Sequence, residues 1–146
     1  ALQQALMAKN GTIAFFGKSH PDTLDAALNL ATIQTYASDF ESAKTSYAEI
    51  LDGTRTRYGE MHENYFNAQS EYAAYLRDSG QLAESLKVYA SLLPKVEKYL
   101  GANHPQTLRT LYQYSGALHQ DKKYDRALPL TKRLLENAKQ CSNGNY

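Results

Sequence analysis

Gly17-Lys18-Ser19-His20-Pro21-Asp22-Thr23-Leu24 returns as Gly101-Ala102-Asn103-His104-Pro105-Gln106-Thr107-Leu108, and Gly59-Glu60-Met61-His62 stands midway, so the glycine recurs every 42 residues. A fixed interval of this size marks stacked supersecondary units, each too small to bury its own apolar face and each completed by its neighbours. An array of that kind points to a surface shared by several units, not to one catalytic pocket.

Each period opens on a helix-start signal. Pro21 and Pro105 suit the first helical position, where the missing N–H and fixed φ are tolerated, and Glu63 in the middle copy favours the same boundary through the helix dipole. Apolar or small residues then recur at helical spacing: Leu24, Ala27, Leu28 and Ala31; Phe66, Tyr72, Ala73 and Leu76; Leu108, Leu111, Ser115 and Leu118. A polar break follows at Ser38-Asp39, Gly80-Gln81 and Lys122-Lys123, and a second amphipathic helix starts at Phe40, Leu82 or Tyr124. Its expected buried columns are Ala43, Ser85 and Ala127; Tyr47, Tyr89 and Thr131; Ile50, Leu92 and Leu134; and Leu51, Leu93 and Leu135. Each period is therefore one antiparallel helix pair. Asn10-Gly11, Asp52-Gly53 and Pro94-Lys95 fall in register inside the second helices, where glycine costs about 1 kcal/mol and proline about 3. A kink or short break is expected there, the alternative being a helix end followed by a short new helix.

The 146 residues, 42% of them hydrophobic, suffice for a core. No apolar run approaches the roughly 20 residues of a membrane-spanning helix. Cys141 is the one cysteine, which rules out an internal disulfide framework and a cysteine-based zinc cluster. The net charge of +1 gives no reason to expect nucleic acid, but it is unevenly spread: −4 over residues 21–62, −1 over 63–104 and +4 over 105–146.

Three periodic histidines invite a metal reading that their spacing opposes. His20, His62 and His104 lie on successive layers, about 10 Å apart by helix packing, whereas metal bonds are about 2 Å long. They are assigned to the helix entrances, while His119 stands outside the column and is the histidine left for function. Gly17-Lys18-Ser19 matches only the end of a phosphate loop, with Thr12 where the earlier glycine would be. No nucleophile or zinc-protease motif is present, so neither an enzyme nor a cofactor is expected.

The small residue of the first helix (Ala31, Ala73, Ser115), the residue after the loop (Phe40, Leu82, Tyr124), the alanine-type position (Ala43, Ser85, Ala127) and Tyr47 and Tyr89 resemble the tetratricopeptide repeat pattern. The 42-residue period and the Gly-x-x-His-Pro-x-Thr entry look like the longer variety found in kinesin light chains and many bacterial regulatory proteins. The resemblance implies an all-α, right-handed solenoid of antiparallel helix pairs with about seven helices. Repeats are expected at 17–58, 59–100 and 101–139, and a polar tail at 140–146. Residues 1–16 read as the second helix of a truncated preceding repeat, leaving Leu2, Leu6, Met7, Ile13, Phe15 and Phe16 partly uncovered.

In such arrays the first helices line the concave side. Carried over by column, the resemblance places Asn29, Tyr36, Asn67, Ser70, Glu71, Arg77, Arg109, Tyr112, Gln113 and His119 at a partner-binding face. The asparagine that clamps a ligand backbone in kinesin light chain-like repeats survives only as Asn29. The implied partner is a protein or peptide, with no nucleic acid, no membrane contact by this segment, and self-association through the uncovered N-terminal end as a further option. The expected compartment is cytoplasmic. Two other functions stay open: a sensory or regulatory domain of a larger bacterial signalling protein, and a self-assembling scaffold.

Overall fold

A computed structural model describes residues 1–142. Among the described residues seven helices follow one another: α1 (Leu2–Phe16), α2 (Pro21–Tyr36), α3 (Phe40–Tyr58), α4 (Glu63–Asp78), α5 (Leu82–Leu100), α6 (Pro105–Gln120) and α7 (Tyr124–Ser142). Each helix packs on the next, and α2 on α4 and α4 on α6 as well, so the even-numbered helices form one continuous layer. No helix among the described residues is long and apolar enough to cross a membrane.

The repeated sequence element is the junction between pairs. Gly17, Gly59 and Gly101 stop the preceding helix at φ 86°, 86° and 94°, with ψ near 165°. This backbone region is open essentially to glycine alone. The glycine N–H groups still donate to the carbonyls of Ile13, Arg55 and Glu97 at about 3 Å. Three residues later the histidine caps the next helix. Nδ1 of His20, His62 and His104 accepts the backbone N–H of Asp22, Asn64 and Gln106 at 3.3, 3.1 and 3.2 Å. A ring nitrogen thus performs the task that Ser, Thr, Asp or Asn usually performs at a helix start. The threonine of the motif closes the turn from the other side, Thr23 Oγ1 donating to the Gly17 carbonyl at 2.8 Å and Thr107 Oγ1 to that of Gly101 at 2.6 Å. Tyr65 occupies this place in the middle copy. Phe16 and Tyr58 stack on the capping rings of His20 and His62, with centroids 4.5 and 4.7 Å apart.

The turn inside each pair needs a left-handed residue, supplied by Ser38 (φ 60°), Gly80 (φ 84°) and Lys122 (φ 59°). The N–H of Asp39, Gln81 and Lys123 then closes on the carbonyls of Gln34, Leu76 and Leu118, a bond that satisfies the helix end as in a Schellman motif.

Small residues let the paired helices meet: Ala31 and Ala43 are fully buried, as are Ala73 and Ser85. The Ser85 hydroxyl is satisfied by the Ala73 carbonyl at 2.7 Å. Tyr47 and Tyr89 fill the space between layers, their hydroxyls deep enough that burial pushes both phenols above the ordinary tyrosine range.

Two expectations require correction. The second helices run unbroken through Asn10-Gly11, Asp52-Gly53 and Pro94-Lys95. At Pro94 the helix is held on both sides by buried Leu92, Leu93 and Val96, packing that outweighs the local cost of proline. The third copy of the buried columns also opens out. Tyr124 is 54% and Leu135 57% exposed, and Thr131 is exposed while Leu134 is half-buried, because only α6 packs on α7 among the described residues. Helix α7 runs to Ser142, three residues into the stretch read as a tail, and 143–146 lie outside the described residues.

Lys122 takes a left-handed conformation that costs a side-chain-bearing residue about 1 kcal/mol. Lys122→Gly should therefore raise the unfolding free energy by roughly 0.5–1 kcal/mol in urea, and Gly80→Lys should lower it by a similar amount.

Candidate partner-binding groove

Helices α2, α4 and α6 present one polar side each to a common face, and two clefts lie along it. The first, of about 360 Å³, is lined by Asp25, Leu28, Asn29 and Thr32 of α2, Asn67 and Glu71 of α4, and Arg109 of α6. Adjoining it at Asp25, Leu28 and Asn67 is a narrow cavity of about 50 Å³ of mixed lining, apolar at Leu24, Ile50 and Ala68 and polar at Thr54, Tyr58 and Asn64.

Arg109 organises this cleft by reaching from α6 back to α4. Its Nη1 donates to Asn67 Oδ1 at 3.2 Å and its Nη2 pairs with the Glu71 carboxylate. Glu71 is 14% exposed and Arg109 47%, so the carboxylate is the sheltered partner and the guanidinium its lid. One layer deeper, Ser70 Oγ donates to Gln113 Oε1 at 2.5 Å. Ser70 itself is fully buried; it fixes Gln113 and is not open to a ligand.

The second cleft, of about 280 Å³, is lined by Arg77, Tyr112, Gln113, Ser115, Gly116, His119, Ala127 and Thr131. Arg77 Nε donates to Asp78 Oδ1 at 2.9 Å, which leaves its two terminal nitrogens without a hydrogen bond among the described residues. Burial works against the Arg77 charge, but the hydrogen bond and charge of Asp78 outweigh it and hold the guanidinium above its ordinary pKa. Tyr112 is 68% exposed, and the exposed His119 ring stands edge-on to Tyr124 at 5.0 Å. The cleft thus offers a fixed cation, a phenol and an imidazole around an opening with glycine at its base.

Among the residues expected at the partner-binding face, the structure gathers Asn29, Asn67, Glu71 and Arg109 in the first cleft and Arg77, Tyr112, Gln113 and His119 in the second. Tyr36 is 84% exposed at the end of α2 and lines neither cleft. Ala127 and Thr131 were assigned to packing, yet they wall the second cleft from the second helix of the pair. The signal was present: Thr131 stands in the Tyr47 and Tyr89 column, and losing the aromatic ring there opens the space between α6 and α7.

The tetratricopeptide repeat family model matches residues 64–140. A clustered mitochondria protein homolog of Candida albicans is 28% identical over 143 residues, 97% of this chain and 10% of that protein, so the chain spans about a tenth of the length of this curated relative. Among solved structures, a Podosopora anserina protein described as a kinesin light chain with nearly identical TPR-like repeats superposes with TM-score 0.79 at 15% identity, covering 99% of this chain and 68% of the other. BtubC (BKLC) from P. vanneervenii gives TM-score 0.81 at 12% identity, covering 99% and 57%. At these identities the likeness to the solved structures is one of fold.

A double-mutant cycle on Arg109→Ala and Glu71→Gln should show a coupling of about 0.5–1 kcal/mol that shrinks in high salt. A coupling of zero would mean that the inter-helix bridge does not organise the first cleft.

Proposed function

Because the chain belongs to the tetratricopeptide repeat family, we propose that it is a protein–protein interaction module that holds an extended segment of a partner along the face shared by α2, α4 and α6. The observation that carries this reading is the pair of adjacent clefts lined by hydrogen-bonding side chains, of which Arg109 and Gln113 are held by contacts from α6 to α4. Asn29 and Gln113 each offer a donor and an acceptor to a peptide backbone. Arg77 brings two terminal nitrogens to an opening shared with Tyr112 and His119. Tyrosine and arginine are the residue types that most often carry binding energy at interfaces, since they join large contact area to polar tips.

A peptide laid across both clefts would meet some groups already in position. Arg109 is tied to Glu71 and Asn67, and Gln113 to Ser70, so little side-chain freedom remains to be lost there on binding. A regulatory role within a longer protein is the second reading, and one observation favours it: the match covers 10% of the Candida albicans relative, making a module of a larger chain a natural arrangement.

The test is affinity against a partner captured with the array as bait. Arg77→Ala, Arg109→Ala and Tyr112→Ala should each weaken binding by about 1–2 kcal/mol, roughly five- to thirtyfold in Kd. If all three leave the affinity unchanged, the groove assignment is wrong.

A further inference from the structure

A further cavity lies between α1, α2 and α3; it shares no lining residue with either cleft, though Leu24 and Ile50 also line the narrow cavity adjoining the first. Helices α1 and α3, the turn between α1 and α2, and the first half of α2 enclose about 470 Å³, within the roughly 300–1,000 Å³ typical of small-molecule sites. Its apolar floor is formed by Ile13, Leu24, Ala27 and Ile50. Two lining positions differ from the next period: Ala27 and Gly53 stand in the columns that carry Gln69 and Lys95, while Thr23 keeps the threonine of the motif. Gly53 also serves close packing, since a Cβ there would lie 2.7 Å from Leu24 Cδ2.

The charged lining residues are Lys9 and Lys18 against Glu49 and Asp52, and they are unequally paired. Lys9 of α1 reaches Glu49 of α3 at 2.6 Å, its own side chain 14% exposed, which ties together the two helices that wall the cavity. Asp52 is held by Arg55 at 3.2 Å. Lys18 has no acidic partner among the described residues, and Ser19 and Asn10 beside the same cavity make no side-chain hydrogen bond there. The uncommitted polar groups at the rim therefore carry one positive charge and hydrogen-bond donors above an apolar floor.

We infer that this cavity is a second binding site, for a small amphiphilic carboxylate, with its apolar body against Leu24, Ala27 and Ile50 and its charged head at Lys18 and Ser19. The ion pair of Lys9 with Glu49 stays intact and sets the width of the opening. This site stands whether or not the groove binds a peptide.

The test is a methyl NMR titration of the 146-residue chain with octanoate below its micelle concentration. The Leu24 and Ile50 methyl signals should move saturably, and 1-octanol should bind about tenfold more weakly for want of the charge-assisted contact. Lys18→Gln, on an exposed side chain, should bring octanoate to the level of octanol. Ala27→Leu introduces the residue that Leu111 supplies in the third repeat; it should abolish the saturable shifts, with cooperative unfolding as the check that the variant is folded. No saturable shift with octanoate, or shifts that survive Ala27→Leu in a folded protein, would overturn the site. Equal binding of octanol and octanoate, or no effect of Lys18→Gln, would overturn its preference for an anion.

Discussion

The histidine cap at each helix entrance is the contact on which the stack depends. A glycine in a backbone region closed to other residues ends one helix, and three residues later an imidazole nitrogen accepts the N–H that begins the next. Together they set how the chain leaves one pair and enters the following one. Since the same junction occurs at every period, each pair is delivered to its neighbour in the same orientation, and α2, α4 and α6 come to share one layer. The groove follows from that alignment: its side chains belong to helices of successive repeats, yet Arg109 reaches Asn67 and Glu71, 42 and 38 residues away in sequence, directly.

Surfaces of interest arise where individual columns depart from the repeat. Threonine at 131 in place of the tyrosine found at 47 and 89 opens the second cleft between α6 and α7. Alanine and glycine at 27 and 53, in place of glutamine and lysine, leave room for the cavity between α1, α2 and α3. In both places the scaffold is kept and the filling side chain is removed, which leaves space without disturbing the helices around it. A stacked array tolerates such losses because each pair is held mainly by its nearest neighbours, so a missing side chain is felt only locally.

Much of this architecture was legible in the sequence, and the exceptions have physical causes. Helix starts and the polar breaks at Ser38, Gly80 and Lys122 could be read because glycine, proline and capping residues act locally. The fully buried columns at 43, 47 and 50 and at 85, 89 and 92 could be read because both neighbours are in place. Columns of α7 misled, since burial at Thr131 and Leu135 depends on what packs beyond them and not on the periodicity of α7. Pro94 and Gly53 suggested breaks because propensity describes an isolated helix; packing around Leu92, Leu93, Val96 and Leu24 overrides it. At the clefts, column position placed most of these residues on one common face, but it could not show that Ser70 is buried beneath Gln113 or that Tyr36 stands apart from both clefts.

The most direct measurement compares two triple variants by urea denaturation: His20, His62 and His104 all replaced by asparagine, and all replaced by alanine. Asparagine retains a side-chain acceptor at the helix start, so the first variant should remain close to the parent. Alanine removes it, so the second should lose about 1 kcal/mol at each junction, with unfolding broadened as the pairs uncouple. An alanine variant as stable and as cooperative as the parent would contradict the claim that the histidine caps hold the array in register.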